Sequence, residues 1–484
     1  MKKLIALTLA MLMLSFCLFS CSKDDEGGNE SSVSASDGSQ ETRSLDKLDA
    51  YDFDKRDFTI LTREEFAYEM ANDDTSASAL SQYVFERNTA VEEKYNVKLN
   101  VLTELGSWAN RASYKEKIST AIYGGDSCEY DLICGAQNQI NLYVTEGFFA
   151  NLNAVETLNF QNDWWFDGFV DNMTLNGKLY FTVGDAGPSL LENMNIIVFN
   201  KDLCADNGIE LPYEYVRSNK WTLEQMDIMT DKFGYTDDNE NDTPDDGDIF
   251  SIVGGGAMLR GLSTSFKMDI TTRDSNGYPE ITLYNARNVE IFEMFQEFLY
   301  DGNKGNFRDG SDPHTSFGKN KALMQFATLT DVMNIRQKYS VNYGIVPYPK
   351  YDENQEHYYT HIYETLTVFA IPINAESQKE SGIILEALGA ASYDYVTPKY
   401  FETVLQYRNS QDTDSLEMIQ MARENISFNF GFVHSGAIGD IGSILDNMKK
   451  GDYNLTSSWE NRSGNWKLKL SALIDQYLKI EEKQ

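Results

Sequence analysis

Cysteine is scarce in this 484-residue chain, which has five cysteines. Cys17 and Cys21 lie at the end of an apolar N-terminal run, so Cys128, Cys134 and Cys204 remain for the rest of the chain. Three is an odd number, which excludes a framework in which every cysteine is paired, although a Cys128–Cys134 disulfide stays open. Their spacing matches no zinc-binding pattern.

Histidine and the common catalytic motifs are also sparse. The chain has four histidines and no G-x-S-x-G motif, so few of its residues could form a Ser-His-Asp triad. His357 and His361 are four residues apart but lack the intervening glutamate of a metalloprotease helix. The glycines at 254–256 fit neither the dinucleotide-binding pattern nor a Walker loop. Acidic pairs are too numerous to single out the two carboxylates of a glycosidase.

Basic residues are in deficit, because 41 Lys and Arg accompany 75 Asp and Glu, a formal net charge of −34. Nucleic acid and anionic membrane surfaces require clustered Lys and Arg and are therefore poor partners. The acidity itself favours solubility. The acidic run from Asp237 to Asp248 has oxygen ligands at alternate positions, as a calcium loop does. It lacks that loop's glycine and final glutamate, so a solvated acidic loop is preferred.

The first residues are typical of an export signal. Lys2 and Lys3 precede an apolar run over 4–19. The run ends in Leu-Phe-Ser-Cys at 18–21, which resembles a bacterial lipobox. This predicts a signal peptide over 1–20 and a lipid on Cys21, with a plain secretory signal as the alternative. A transmembrane helix is disfavoured because the run is short and the charged residues 23–26 follow at once.

Residues 22–45 contain Ser, Gly, Asp and Glu with almost no large apolar side chain. Such a stretch cannot bury enough surface to offset its ordering entropy, so a flexible tether is predicted over 21–50. The rest of the chain is long for one hydrophobic core, so two domains are expected.

Strands and helices alternate along the chain. In the first part, strands are predicted at 58–61, 97–101 and 131–134, and helices at 79–95 and 112–123. This order implies a mostly parallel sheet with right-handed crossovers. The alternation returns further on, with strands at 195–199, 249–253, 344–347 and 367–371, helices at 221–233 and 289–300, and a helical C-terminal portion. Two α/β lobes explain this pattern better than one large sheet.

Several segments together resemble one family. They are IIVFNKDL at 196–203, NGIELP at 207–212, KWTLEQM at 220–226, FGKNKALM at 317–324, GIVPYPK at 344–350 and NFGFV at 429–433. From about residue 57 to its end, the chain resembles the family 1 extracellular solute-binding proteins, which are the sugar-binding receptors of ABC importers. The resemblance rests on the segments in aggregate, since no single one is diagnostic.

The resemblance implies an α/β, two-lobed periplasmic-binding-protein-like fold, with a mostly parallel, helix-flanked sheet in each lobe and a hinge between the lobes. The first lobe is expected over 51–165 and about 340–395, and the second over 166–339 and about 396–484. Because parallel strands bind ligands at their carboxyl ends, the expected site is the cleft between the lobes.

Four ligand-contact candidates come from the first half of the chain. Gln137 and Asn138 follow a predicted strand, and their amides suit sugar hydroxyls, although an ordinary polar loop is the alternative. Trp165 lies in a loop bordered by Asp and Gly, where its ring can stack on a sugar or pack a lobe. Asp185 lies among glycines that let a ligand approach, with a turn or helix cap as the alternative.

Four more candidates come from the second half. Gly255 belongs to a glycine loop after a strand, and Arg260 lies shortly after it. Tyr363 and Glu364 precede another predicted strand. Trp221 begins a helix, and packing is the preferred role for it.

These features predict a lipoprotein that captures a carbohydrate, with an oligosaccharide preferred, and delivers it to the transmembrane permease subunits of an ABC importer. We expect no enzyme activity, catalytic residue, cofactor or metal, and a monomer on the outer side of the cell membrane. A secreted carbohydrate-active hydrolase and a peptide receptor are alternatives. A surface carbohydrate-binding protein of an outer-membrane uptake system is a third, but it predicts a mostly helical fold.

Overall fold

The computed structural model describes residues 43–71, 79–240, 245, 247–254, 258–300, 313–407, 410–447 and 454–480. The predicted signal peptide, Cys21 and most of the predicted tether lie outside these ranges. The last part of that tether is folded: Leu45 is buried, and the backbone N–H of Ser44 donates to the Asp394 carboxylate at 2.6 Å. The tether prediction over 21–50 is therefore too long at its C-terminal end.

The strands form two four-stranded sheets and two small hairpins. In chain order they are β1 (Asp57–Arg63), β2 (Lys98–Glu104), β3 (Leu132–Ala136), β4 (Asn195–Asn200), β5 (Phe250–Val253), β6 (Thr271–Arg273), β7 (Pro279–Ile281), β8 (Ala322–Thr328), β9 (Tyr343–Val346), β10 (Thr367–Ala370), β11 (Gln406–Tyr407) and β12 (Ser410–Gln411).

The helices flank these sheets. They are α1 (Ala79–Tyr95), α2 (Arg111–Tyr123), α3 (Gln137–Tyr143), α4 (Asp167–Met173), α5 (Ser189–Glu192), α6 (Lys201–Asp206), α7 (Tyr213–Arg217), α8 (Leu223–Phe233), α9 (Met258–Ser265), α10 (Ala286–Tyr300), α11 (Pro313–Gly318), α12 (Leu329–Lys338), α13 (Gln378–Tyr395), α14 (Thr397–Leu405), α15 (Thr413–Glu424), α16 (Phe430–Val433), α17 (Ser443–Asn447) and α18 (Leu455–Lys479). Within the described ranges, none is both long and apolar enough to cross a membrane.

The first sheet has the strand order β10-β3-β1-β2 and forms the core of the first lobe. β1 is parallel to both of its neighbours, so that Ile60 lies opposite Val101 and Leu132. Every residue of β3 is buried, as expected for a central strand covered on both faces. β10 adds to β3 in the antiparallel direction.

The second sheet has the order β5-β8-β4-β9 and forms the core of the second lobe. β5 and β8 are parallel, whereas β4 is antiparallel to both β8 and β9. Ile197 of β4 therefore lies opposite Phe326 and Val346. This sheet is less parallel than predicted, because the pattern of apolar residues identifies a strand but not the direction of its neighbour.

Strand pairing moves two of the expected lobe boundaries. Thr182 and Phe369 of β10 exchange backbone hydrogen bonds of 2.9 Å, so the chain around 182 belongs to the first lobe, not to the second. β9 pairs in the second sheet and β10 in the first, so the chain returns to the first lobe between 346 and 367, later than 340. Strands of both lobes have the same apolar pattern, so only their hydrogen-bonded pairing shows which lobe each strand belongs to.

Cys128, Cys134 and Cys204 are free thiols and all three are buried. This decides against the disulfide left open between the first two. Burial raises the pKa of Cys128 to about 11 and that of Cys204 to about 12. These cysteines are core residues and resist deprotonation.

Trp221 and the acidic loop both have structural roles. The buried indole of Trp221 donates to the Pro347 carbonyl at 2.9 Å, which confirms packing as its role. The carboxylate of Asp248 accepts from the Tyr235 hydroxyl at 2.7 Å and from the backbone N–H of Asp245 at 2.8 Å. Residues 241–244 and 246 of this loop lie outside the described ranges.

Candidate functional site

A narrow, partly open cleft lies where the two lobes meet. The first lobe contributes the start of α3, which follows β3 directly and thus lies at the carboxyl edge of its sheet. The second lobe contributes α9, and the remaining wall comes from 361–364 and 427–433. The lining residues are Gln137, Thr264, His361, Ile362, Glu364, Ser427, Phe428, Asn429, Phe432 and Val433.

Amide side chains of α3 lie on the first-lobe side of the cleft, and Gln137 is the one of them that lines it. The Gln137 amide donates to the Val433 carbonyl at 3.0 Å, and the Asn141 amide donates to the same oxygen. The backbone N–H of Asn138 donates to the Glu364 carbonyl at 3.3 Å. The Oδ1 atoms of Asn138 and Asn141 are buried with no hydrogen-bond partner among the described residues. Unpartnered buried acceptors are costly, but neither asparagine is among the residues that line the cleft.

A histidine forms the second-lobe side of the cleft. His361 Nδ1 lies 3.1 Å from the Thr264 hydroxyl, and Nε2 has no partner among the described residues. Burial, helped by the positive charge of Arg260, lowers the pKa of His361 to about 3. The imidazole is therefore neutral at physiological pH, and its free nitrogen can bond a hydroxyl group without bringing a charge.

The carboxylate that lines the cleft is neutralised by an ion pair. Arg260 of α9 forms an ion pair with Glu364. Its Nη2 also donates to the carboxylate of Asp446, in α17, at 2.6 Å. This network joins the second lobe to the segment that crosses between β9 and β10. The Glu364 carboxylate that lines the cleft is thereby ion-paired.

Two phenylalanines add apolar surface. The Phe432 and His361 ring centroids are 6.1 Å apart, and the Phe428 centroid lies 4.9 Å from that of Phe169. Asn429 fixes the segment between them, because its Oδ1 accepts from the Gly431 N–H at 3.0 Å. Its amide also donates to the carbonyl of Thr271, in β6, at 2.8 Å. These bonds hold the segment between the two phenylalanines against β6.

The structure brings several of the sequence-predicted residues together here. Gln137 and Glu364 line the cleft, while Asn138 and Arg260 each bond to Glu364. Tyr363 is 36% exposed, and its N–H donates to the Asn193 carbonyl. Gly255 lies outside the described residues.

Trp165 and Asp185 lie elsewhere, in packed surroundings. The Trp165 indole is buried and donates to the Glu386 carboxylate at 3.0 Å. The Asp185 carboxylate is fully buried and pairs with Arg423 at 2.8 Å. Neither residue is among those that line the cleft. The polar neighbours of Trp165 in sequence suggest an exposed loop, but α13 covers it, with Glu386 lying 221 residues later in the chain.

Sequence reasoning missed most of the second wall, namely Thr264, His361, Ser427, Phe428, Asn429 and Phe432. The sequence presents His361 only as a possible metal ligand, four residues after His357. The segment 429–433 belongs to the family resemblance, and this resemblance is the available signal for Asn429 and Phe432. Ser427 and Phe428 precede it with no motif of their own.

Comparisons with known proteins agree on the fold. No family model matches the chain, and no curated protein matches it. An ABC substrate-binding protein from Listeria monocytogenes, solved in complex with cycloalternan, is 16% identical with a TM-score of 0.53, over 89% of this chain and 100% of that chain. A cyclo/maltodextrin-binding protein complexed with maltotetraose is 11% identical with a TM-score of 0.55, over 88% and 96% of the two chains.

At these identities the likeness shows the architecture. The chain has the two-lobed α/β fold of periplasmic binding proteins, which confirms the predicted fold class. Its two four-stranded sheets distinguish it from an all-helical fold.

Proposed function

We propose that this protein is an extracytoplasmic solute-binding protein of an ABC importer that captures a neutral saccharide, with an oligosaccharide preferred. One observation carries the proposal. The interlobe cleft combines amides, hydroxyls, a neutral imidazole and two phenylalanines, and its lining carboxylate, Glu364, is ion-paired with Arg260. The two solved structures with this fold hold cycloalternan and maltotetraose.

Sugar chemistry fits this cleft. Each hydroxyl of a sugar both donates and accepts, so it can bond His361 Nε2, which has no partner among the described residues, in either role. The apolar C–H faces of a sugar ring pack on aromatic rings such as Phe428 and Phe432. A cleft between two lobes buries such a ligand from both sides when the lobes close about a hinge.

The other function classes fit less well. A glycoside hydrolase uses two carboxylates on either side of the scissile bond. Glu364 is the one carboxylate among the described lining residues, and Arg260 engages it. A free peptide carries charged termini, whereas the described lining residues are uncharged apart from Glu364, which is ion-paired with Arg260. We therefore propose a binding protein and not an enzyme.

A thermal-shift screen tests the proposal. The probes are the linear tetrasaccharides of glucose, xylose and mannose, with tetra-alanine as the peptide probe. We expect one saccharide to raise the melting midpoint, because a ligand at 100 times its Kd stabilises the folded state by about 2.7 kcal/mol. A shift with tetra-alanine and with none of the sugars would contradict a saccharide receptor.

Variants of two histidines then locate the site. Replacing His361 with leucine removes one hydrogen bond to the bound sugar, so affinity should fall about two- to tenfold by titration calorimetry. His357→Leu is the matched control, because this histidine is half exposed and does not line the cleft. Equal affinities of the two variants would place the ligand elsewhere.

We also propose that a lipid on Cys21 holds the protein at the outer face of the membrane, near the permease subunits that receive the ligand. Changing Cys21 to alanine removes the thiol that carries the lipid, so we expect the protein to move from the membrane fraction to the soluble fraction. The measurement is an immunoblot of both fractions, with Cys17→Ala as the control. A membrane-bound Cys21→Ala protein would refute the lipid anchor.

A further inference from the structure

One tryptophan differs from most others in its exposure. Trp108 is 54% exposed, whereas Trp164, Trp165, Trp221 and Trp466 are buried. A large aromatic side chain that stays in water contributes little burial energy to folding. Exposed tryptophans on rigid supports are frequent anchors for ligands, because they offer much contact area at low entropic cost.

The loop that carries Trp108 is held firmly. The Glu65 carboxylate accepts from the backbone N–H groups of Gly106 and Ser107 at 2.9 and 2.8 Å. The Gln139 amide donates to the Gly106 carbonyl at 2.8 Å. The Arg111 guanidinium lies 4.4 Å from the centre of the Trp108 ring and donates to the Trp108 carbonyl at 2.6 Å. The ring is therefore positioned before any ligand arrives.

Gly106 lets this loop pack closely against Arg63, which bonds to the segment next to the cleft. A Cβ at residue 106 would lie 2.4 Å from the side chain of Arg63, so only glycine fits against it. Arg63, the last residue of β1, in turn donates to the Thr367 hydroxyl at 2.8 Å and to the Thr365 carbonyl at 2.9 Å. Thr365 directly follows Glu364, which lines the cleft.

The start of α3 makes a second connection between Trp108 and the cleft. Gln137 lines the cleft, and Gln139, two residues later, donates to the Gly106 carbonyl. Between them, Asn138 has an Oδ1 with no partner among the described residues. β1, β2 and β3 are parallel, so the loops after them emerge at the same edge of the sheet. Trp108 follows β2, and Gln137 follows β3.

We infer that Trp108 is an outer sugar-binding subsite that extends the cleft, so that the ligand is a saccharide of several units with its outer ring stacked on the indole. One face of the indole is occupied by Arg111, and the other face accepts the ring. This inference rests on the proposed function and adds to it the place where the outer unit of the ligand binds.

The test compares long and short sugars on the full chain. The probes are the tetrasaccharides of glucose, xylose and mannose and their monosaccharides, measured by titration calorimetry. For the tetrasaccharide that binds, Trp108→Ala should lower affinity at least about tenfold, because a stacking anchor is lost. Its monosaccharide affinity and melting midpoint should not change, since the side chain is exposed. Trp108→Phe retains a ring and should recover part of the loss.

Tyr123→Ala is the matched control, because Tyr123 is 71% exposed at the other end of α2 and should leave every affinity unchanged. Equal loss for tetrasaccharide and monosaccharide, no loss in Trp108→Ala, or a lowered midpoint in that variant would overturn the outer subsite. If no sugar binds the unchanged protein, the proposed function itself fails.

Discussion

Replacing Arg423 with methionine should lower the free energy of unfolding by about 3–5 kcal/mol, which is the usual cost of removing one partner from a buried ion pair. Arg423 of α15 donates to both oxygens of Asp185, at 3.0 and 2.8 Å. Asp185 belongs to the first-lobe segment beside Trp164, whose carbonyl accepts the Asp185 N–H at 3.0 Å. Without Arg423 its carboxylate is buried and unpaired. Urea denaturation measures the loss.

Two controls separate charge from packing in this experiment. The double replacement Asp185→Leu with Arg423→Met removes both charges and should recover most of the stability. Lys399→Met breaks the exposed Lys399–Glu402 pair and should cost less than about 1 kcal/mol. If Arg423→Met is as stable as the unchanged protein, the Arg423–Asp185 ion pair does not stabilise the fold. A loss of sugar affinity in the stable double variant would return Asp185 to the ligand site.

Replacing Trp165 with alanine should lower the free energy of unfolding by about 3–5 kcal/mol and leave ligand affinity nearly unchanged in the folded fraction. The ring is buried, its centroid lies 5.4 Å from that of Phe160, and its N–H donates to Glu386. A Cβ on Gly184 would lie 2.6 Å from the indole, so the neighbouring chain packs directly on it. Urea denaturation and titration calorimetry on one preparation give both quantities.

Trp165→Phe is the conservative control for this prediction. It retains most of the ring but leaves the Glu386 carboxylate without the indole donor, so a smaller loss of about 1–3 kcal/mol is expected. Unchanged stability of Trp165→Ala together with a large loss of affinity would show that the tryptophan contacts the ligand, as the sequence first suggested.

Local periodicity located many elements of this protein, although it did not predict β8 (Ala322–Thr328). The helix predicted over 79–95 is observed over Ala79–Tyr95, and the strand predicted over 195–199 is observed over Asn195–Asn200. Apolar residues at helical or alternating spacing must face a core, and this requirement is visible in a short window of sequence. The same applies to Gln137 and Glu364, which flank predicted strands and line the cleft.

Partners distant in the chain were decided only by the tertiary structure. Asp185 meets Arg423 238 residues later, and Gln137 meets Val433 296 residues later. Nothing local distinguishes an aspartate among glycines that binds a ligand from one that pairs with a distant arginine. The exposure of Trp108 and the burial of Trp165 follow from which helices cover each loop. The sequence by itself determined the α/β elements and the two-lobed class, and long-range packing determined which side chains form the cleft, because burial and pairing depend on contacts that no local pattern contains.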